Sequence, residues 1–334
     1  MNIYQDNGYV DIRSILKQGA TFNFILGGRA TGKTYTSLLT CYEDDLRIML
    51  MRRTQSQIDL VNKPEFSPYK PIAADLGIDI EVRPASKYNS VITHEEYILG
   101  YTCALSTISN LRGFDASDVD ILVFDEFVSE PHERPLKNEG QAFLNAYETM
   151  NRNRELKGKE PLKVLCLANA FNIANPIFLE LGLVGKCEKM KAKGQKYFYD
   201  PVRSVCIIFL EESRISQAKR KTALYKLTEG SSFSKMSLDN EFIFNPTENI
   251  KSLPIREYKP IVTVGEITIY KHKAKREYYV SEHRLGDPPE YSTDDISLRR
   301  YRKNYGFNLN LAYMKNIVTF ENMLTKSLFE LYTI

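Results

Sequence analysis

Gly27-Gly28-Arg29-Ala30-Thr31-Gly32-Lys33-Thr34 decides the reading of this chain. The octet fits G-x-x-x-x-G-K-[ST], the phosphate-binding loop, and its flanks supply the context that this pattern requires. A strand-like run, Phe22 to Leu26, precedes it, and an apolar-periodic helical segment, Tyr35 to Cys41, follows. In a strand–loop–helix of this kind the loop N–H groups wrap phosphate oxygens, and the helix N-terminus adds a dipole that favours negative charge. All eight residues from Gly27 to Thr34 are therefore candidate ATP contacts. Lys33 reaches the β- and γ-phosphates, and the Thr34 hydroxyl is a ligand for Mg²⁺.

Outward from that loop, the next informative stretch is Asp120 to Phe127, Asp-Ile-Leu-Val-Phe-Asp-Glu-Phe. A β-type apolar run that ends in two carboxylates is the Walker B arrangement. Asp125 would hold Mg²⁺ through water, and Glu126 would orient and deprotonate the attacking water. Such a run is common by itself; here it follows the phosphate loop with another strand between them. That order fits the P-loop ATPases that insert an additional strand between the two motifs. Together the motifs point to hydrolysis rather than binding alone. Leu162 to Ala168 reads as a further buried strand, ending in Asn169. A polar residue there can sense the γ-phosphate; the alternative is an Asn in a turn with Asn172 and Asn175-Pro176. Arg47 to Met51 reads as another buried strand, running into Arg52 and Arg53, and ligands bind beyond such C-terminal strand ends in open α/β sheets. A solvated strand terminus is the alternative for this Arg pair.

Bulk composition narrows the class. The 334 residues are 43% hydrophobic and 26% charged, with net charge +3, the profile of a globular protein of one large or two ordinary domains. Five cysteines at 41, 103, 166, 187 and 206 have no C-x-x-C spacing, which argues for reduced thiols and against a zinc site or disulfide framework. No run of 18 apolar residues is present, and the N-terminus does not read as a signal peptide. With so small a net charge, any nucleic-acid contact must come from local patches.

The remaining segments are placed by pattern. Asp11 to Lys17 reads as a short helix. Val91 to Ile98 and Tyr101 to Leu105 read as strands joined by a turn at Gly100. Lys186, Lys189, Lys191, Lys193 and Lys196 stand against the single acid Glu188 and read as a charged loop, either tracking DNA or merely solvated. Val205 to Leu210 closes the first domain, and 211–245 reads as a helical linker. Beyond it, Pro260 to Val264, Glu266 to Tyr270 and Glu277 to Ser281 form an antiparallel meander. Helical segments at Ile296–Asn304 and Val318–Tyr332 follow. The expected division is a P-loop domain over 1–210, a linker over 211–245 and a small α/β domain over 246–334.

These residues resemble the genome-packaging ATPases of small, short-tailed phages of the phi-29 type, compact relatives of terminase large subunits. The likeness rests on the octet 27–34, Arg52-Arg53, Leu111-Arg112-Gly113 and Val-Phe-Asp-Glu-Phe (123–127). It also rests on Asn-Arg-Asn-Arg-Glu (151–155), Cys-Leu-Ala-Asn-Ala (166–170) and Met-Ser-Leu-Asp-Asn (236–240). The resemblance implies an additional-strand, catalytic-Glu P-loop ATPase that drives double-stranded DNA into a procapsid. It implies a homomeric, pentameric ring docked on the portal in the host cytoplasm, with a packaging RNA as a further partner. By the same resemblance Arg152 is the arginine finger acting on the neighbouring subunit's ATP, with Arg154 the runner-up and Arg112 a second basic residue at that interface. Larger terminases carry an RNase H-like nuclease at the C-terminus. The meander-then-helix order here fits that topology, yet Ile-Val-Thr-Val has no Asp, and Glu266, Glu277, Asp294 and Asp295 show no convergence. We expect no cleavage. A basic surface is left, Lys271, Lys273, Lys275, Arg276, Arg299, Arg300, Arg302 and Lys303 with Tyr270 and Tyr301 interleaved, to grip DNA, RNA or portal; an ordinary solvated basic face is the alternative for any one of these residues. Three rival readings are another DNA-translocating ATPase, an ATP-dependent assembly switch with little hydrolysis, and an active C-terminal nuclease.

Overall fold

The computed structural model describes residues 3–29, 31–111, 116–130, 133, 136–169, 172–210, 214–239 and 249–334. The chain divides into two compact units, Met1–Leu181 with Lys189–Phe244, and Gly182–Glu188 with Asn245–Ile334.

The first unit is built on a nine-stranded sheet. Its strands are β1 (Phe22–Gly27), β2 (Ile48–Arg52), β3 (Glu81–Pro84), β4 (Ser90–His94), β5 (Tyr97–Ala104), β6 (Ile121–Asp125), β7 (Lys163–Asn169), β8 (Tyr197–Asp200) and β9 (Val205–Phe209). Their spatial order is β3-β4-β5-β2-β6-β7-β1-β9-β8. From β5 to β9 every neighbouring pair is parallel. The two edges are closed by antiparallel hairpins. The central strands β6 and β9 are buried along their whole length, and β7 is buried through its middle. That is why the sequence shows unbroken Val/Ile/Leu runs there instead of alternation. Strand β7 follows β6 in the chain but lies between β1 and β6 in the sheet, so an additional strand separates the two motif strands in space.

Three local readings change. Gly100 does not turn the chain. It lies inside β5, where a Cβ would stand 2.3 Å from the Ile48 carbonyl oxygen of β2, so the glycine permits close strand approach. The β4–β5 turn falls instead at Glu95, with φ 52°. Lys186, Lys189 and Lys191 of the lysine-rich segment lie in a helix, Val184–Ala192, while Lys193 and Lys196 follow it in the connection to β8. Strand β8, with four half-buried residues, had no strong apolar pattern to announce it.

The second unit carries a five-stranded sheet, β10 (Tyr258–Val264), β11 (Ile267–His272), β12 (Tyr278–Ser281), β13 (Glu290–Tyr291) and β14 (Val318–Phe320), in the order β13-β10-β11-β12-β14. The three meander strands are antiparallel and β13 pairs in parallel with β10. This is the RNase H-like arrangement, with β14 added in parallel beside β12. Helices Asp295–Tyr301, Phe307–Met314 and Met323–Thr333 complete it. The stretch expected as one helix from Val318 thus opens as a strand. Asn322 ends that strand and starts the last helix by a capping box with Thr325.

Candidate nucleotide site

The site forms where β1, β6 and β7 end. Gly32 takes the left-handed conformation at φ 79° and begins the helix Lys33–Glu43, a backbone state open to glycine at little cost. Lys33 is buried and donates from Nζ to the carbonyls of Gly28 (2.7 Å) and Gly27 (3.2 Å). It also reaches Thr31 Oγ1 and Asn169 Oδ1, both at 3.4 Å. Burial pulls the Lys33 ammonium down to about 8. The Thr34 hydroxyl donates to Asp125 Oδ2 at 2.9 Å. Hydroxyl and carboxylate oxygens that converge in this way are the hard donors that Mg²⁺ takes.

Asp125 is buried, and burial pushes its carboxyl above the ordinary range, against the pull of Arg52. Arg52, at the end of β2, pairs through Nη2 with Asp125 Oδ2 at 2.7 Å and through Nη1 with Glu126. Glu126 follows in the left-handed region at φ 57°, and its N–H donates to Asp125 Oδ1 at 3.1 Å. Non-glycine residues in that region cluster at functional sites. The turn aims the half-exposed Glu126 carboxylate into a cavity of about 340 Å³. Arg29, Thr34, Asp125 and Asn169 line the same cavity. Arg29 is paired with Glu130 at 2.8 Å.

Arg53, next in sequence, points away. Its side chain is 1% exposed and pairs with Glu139 (Nε, 2.5 Å) and Glu133 (Nη1, 2.9 Å). Glu133 Oε2 also accepts the Glu130 N–H at 3.1 Å. One arginine of the pair touches the Walker carboxylates, while the other ties down the chain that follows them.

Arg152 lies elsewhere. It ends the helix Glu139–Asn151 at φ 42°, with Nε donating to Thr149 O at 3.2 Å. The preceding Asn151 accepts the N–H of Leu162, just ahead of β7. Arg154 donates to the carbonyls of Ala116, Ser117 and Val119, ahead of β6. Both arginines therefore sit at the N-terminal edge of the sheet, roughly 20 Å along the seven-residue β7 from the phosphate loop. The candidate residues Ala30 and Arg112 lie outside the described residues. A larger cavity, about 710 Å³, opens at the same N-terminal edge, lined by Glu43, Asp45, Asp118 and Asp120. Its carboxylates disfavour phosphate, and Arg47 is already paired there with Asp118 at 2.5 Å.

The interleaved tyrosines expected on the second unit's basic face are core residues. Tyr270 and Tyr301 are fully buried. Their hydroxyls meet His283 O and Thr333 Oγ1. Arg302 donates to the Tyr332 and Leu331 carbonyls, both at 2.8 Å, and so caps the last helix. Lys271, Lys273, Lys275, Arg276, Arg299, Arg300 and Lys303 are exposed. One residue before the end of β10, Thr263 is buried against Thr268, hydroxyl to hydroxyl at 3.0 Å. Among the described residues no group of three or more His, Cys, Asp or Glu could hold a metal ion.

This fold and this site define a P-loop protein of the additional-strand, catalytic-glutamate class. Its particular kin are phage proteins. Residues 5–333 match the family model described as Podovirus DNA encapsidation protein (Gp16), and the chain belongs to that family. It is 23% identical over 332 residues to the DNA packaging protein of Bacillus phage B103, covering 94% of this chain and 97% of that one. It is 25% identical over 236 residues to the DNA packaging protein of Bacillus phage phi29, covering 69% and 65%. A chain of the bacteriophage Phi-29 viral genome packaging motor assembly has the same fold, with TM-score 0.68, 22% identity and coverage of 97% and 98%. A chain of the Phi-28 gp11 DNA packaging motor superposes with TM-score 0.66 at 20% identity, covering 97% of each. By family, then, the protein is a phage DNA encapsidation protein. No helix among the described residues is long and apolar enough to cross a membrane.

Proposed function

We propose that this chain hydrolyses ATP and couples each turnover to the movement of double-stranded DNA into a procapsid. The observation that carries this reading is the convergence of Lys33, Thr34, Asp125, Glu126 and Asn169 on one cavity at the C-terminal strand ends. Gly27 to Thr34 wrap the phosphates, and Lys33 exchanges its loop carbonyls for phosphate oxygens. Mg²⁺, held by Thr34 and Asp125, would offset phosphate charge. Glu126 takes the proton of the attacking water. Asn169, beside Lys33, registers the γ-phosphate and passes its loss to β7.

Arg52 adds control. Its ion pair with Glu126 occupies the carboxylate that must face water. Turnover therefore waits until Arg52 lets go, and DNA engagement is the event suited to release it.

Arg152 supplies the finger in trans. Its place at the sheet edge opposite the phosphate loop keeps it from its own nucleotide and leaves it for a neighbour's. Arg154, engaged by three carbonyls, is the weaker candidate. Subunits would then sit in a ring, pentameric by analogy with the phi-29 relatives, docked on a portal and tethered by an RNA in the host cytoplasm. In this reading 1–210 is the motor domain, 211–245 its connector and 246–334 an anchoring domain without nuclease chemistry. The exposed lysines and arginines of that last domain would meet phosphates without reading sequence.

Steady-state ATP hydrolysis, with and without duplex DNA, tests the core of this. Hydrolysis should rise with DNA, and Glu126→Gln should lower it by about 10²–10⁴, the range for a general base. ATP binding without turnover in the presence of DNA and portal would favour an assembly switch instead.

A further inference from the structure

The cavity at the phosphate loop has one aromatic residue among its described lining, Tyr35. It follows Thr34 directly and packs on one side against the core of the unit. Its hydroxyl donates to Asp75 at 2.7 Å, which fixes the ring. A second ring meets it there. Tyr9 lies 5.7 Å from Tyr35, centroid to centroid, tilted by 46°.

Tyr9 comes from a small hairpin that the sequence did not announce. Tyr4 bridges Val10, and the Asn7-Gly8 turn closes the tip, with Gly8 at φ 87° and the Tyr9 N–H on Asn7 Oδ1. The Val10 N–H donates to Thr31 O in the phosphate loop at 3.0 Å. Arg214 holds the tip by a bond to Asp6 O. The ring of Tyr9 rests on Gly32, where an added Cβ would stand 2.5 Å from its Cδ1. Backbone bonds and Arg214 hold this hairpin, so the Tyr9 ring is not what keeps it in place. Both rings are only half-buried.

We propose that Tyr9 and Tyr35 form the wall against which the adenine base of the bound nucleotide stacks. This rests on the reading of Gly27–Thr34 as the phosphate loop. The γ-phosphate end of the cavity is marked by Lys33, Glu126 and Asn169. A triphosphate laid along the loop from that end leaves past Thr34 and Tyr35, and the base emerges beside the two rings. Every base offers a π-face, so stacking binds without hydrogen-bond readout. The site accordingly favours a nucleoside triphosphate over a bare polyphosphate through these two rings.

The test compares MgATP with magnesium tripolyphosphate on the full chain. Tyr9→Ala should weaken ATP by about tenfold or more, the scale of one lost base stack, and leave tripolyphosphate unchanged. Tyr9→Phe should restore the preference. The chain has no Trp, so Tyr9→Trp installs a single reporter whose emission should be quenched by ATP and not by tripolyphosphate. Equal losses for both ligands in Tyr9→Ala, or equal quenching, would show a mere buttress for Gly32 and overturn the proposal. Lys33→Ala should weaken both ligands alike. If the parent chain binds neither, the phosphate-loop reading itself fails, and the base wall falls with it.

Discussion

Two α/β sheets in one chain meet opposite fates at their strand ends. In the first, β6 ends in Asp125 and Glu126, buried or half-buried, with Arg52, Lys33 and Thr34 arrayed around them. In the second, β10 ends in Thr263 and Val264, and the Thr263 hydroxyl is used up on Thr268. The nearby acids have structural work. Glu266 accepts the Tyr332 hydroxyl at 2.7 Å, and Asp294 caps the helix Asp295–Tyr301. A fold supplies a place for chemistry, but carboxylates stay charged there only when counter-charges accompany them. The first sheet keeps that company of charges, while the second, among the described residues, pairs tyrosine and threonine hydroxyls there.

The sharpest way to strain this contrast is Arg152→Ala. If the first sheet is completed from a neighbour, hydrolysis in assembled motors should fall by about 10³–10⁵, the range for an arginine finger. ATP affinity of the isolated chain should be unchanged by titration. Wild-type turnover in the variant would remove Arg152 from the site. Next in size is stability. Arg53→Met strands the fully buried Glu139, and unfolding in urea should report a loss of about 3–5 kcal/mol. The double change with Glu139→Leu should recover most of it. In the second unit Tyr301→Phe removes one hydroxyl bond, and the same measurement should show only about 1 kcal/mol.

Smaller still is a pH effect. Lys33 sits at about 8 in the free protein, while bound phosphate favours its protonated form. ATP affinity should therefore fall as pH rises through 8, by at most about tenfold per unit, with proton uptake on binding. Calorimetry in buffers of different ionisation enthalpy would detect that proton. No uptake near pH 8 would mean that Lys33 is already fully charged. The smallest expected effect is none at all: duplex DNA incubated with the protein and Mn²⁺ should stay intact on a gel. Cutting would mean that the second sheet holds metal after all.

Much of this was legible because its signals are local. The phosphate loop, the apolar run into Asp125-Glu126 and the strand ending in Asn169 each declare themselves within eight residues. What stayed hidden depends on the third dimension. Gly100 reads as a turn until its proximity to Ile48 is known. Tyr270 and Tyr301 alternate with basic residues as a surface motif does, yet their rings point inward and carry the core of the second unit. The Arg52-Arg53 pair is visible as a string. Its division of labour follows from where the strand stops, since Arg52 is the last residue of β2 and Arg53 already lies in the bend beyond it. The Tyr9 hairpin pairs over too short a span to leave a periodic trace.

If Arg152 acts in trans as proposed, its placement at one edge of the sheet, with the phosphate loop at the other, has a consequence for symmetry. A two-fold dimer is isologous and presents the same patch of each copy to the other. A patch that holds only one of these two edges would let a two-fold pair complete neither site. Contacts that deliver Arg152 to a neighbour's nucleotide must be heterologous, head to tail. Any open stack of such subunits ends with one finger idle and one nucleotide unattended, and only cyclic closure leaves every site whole.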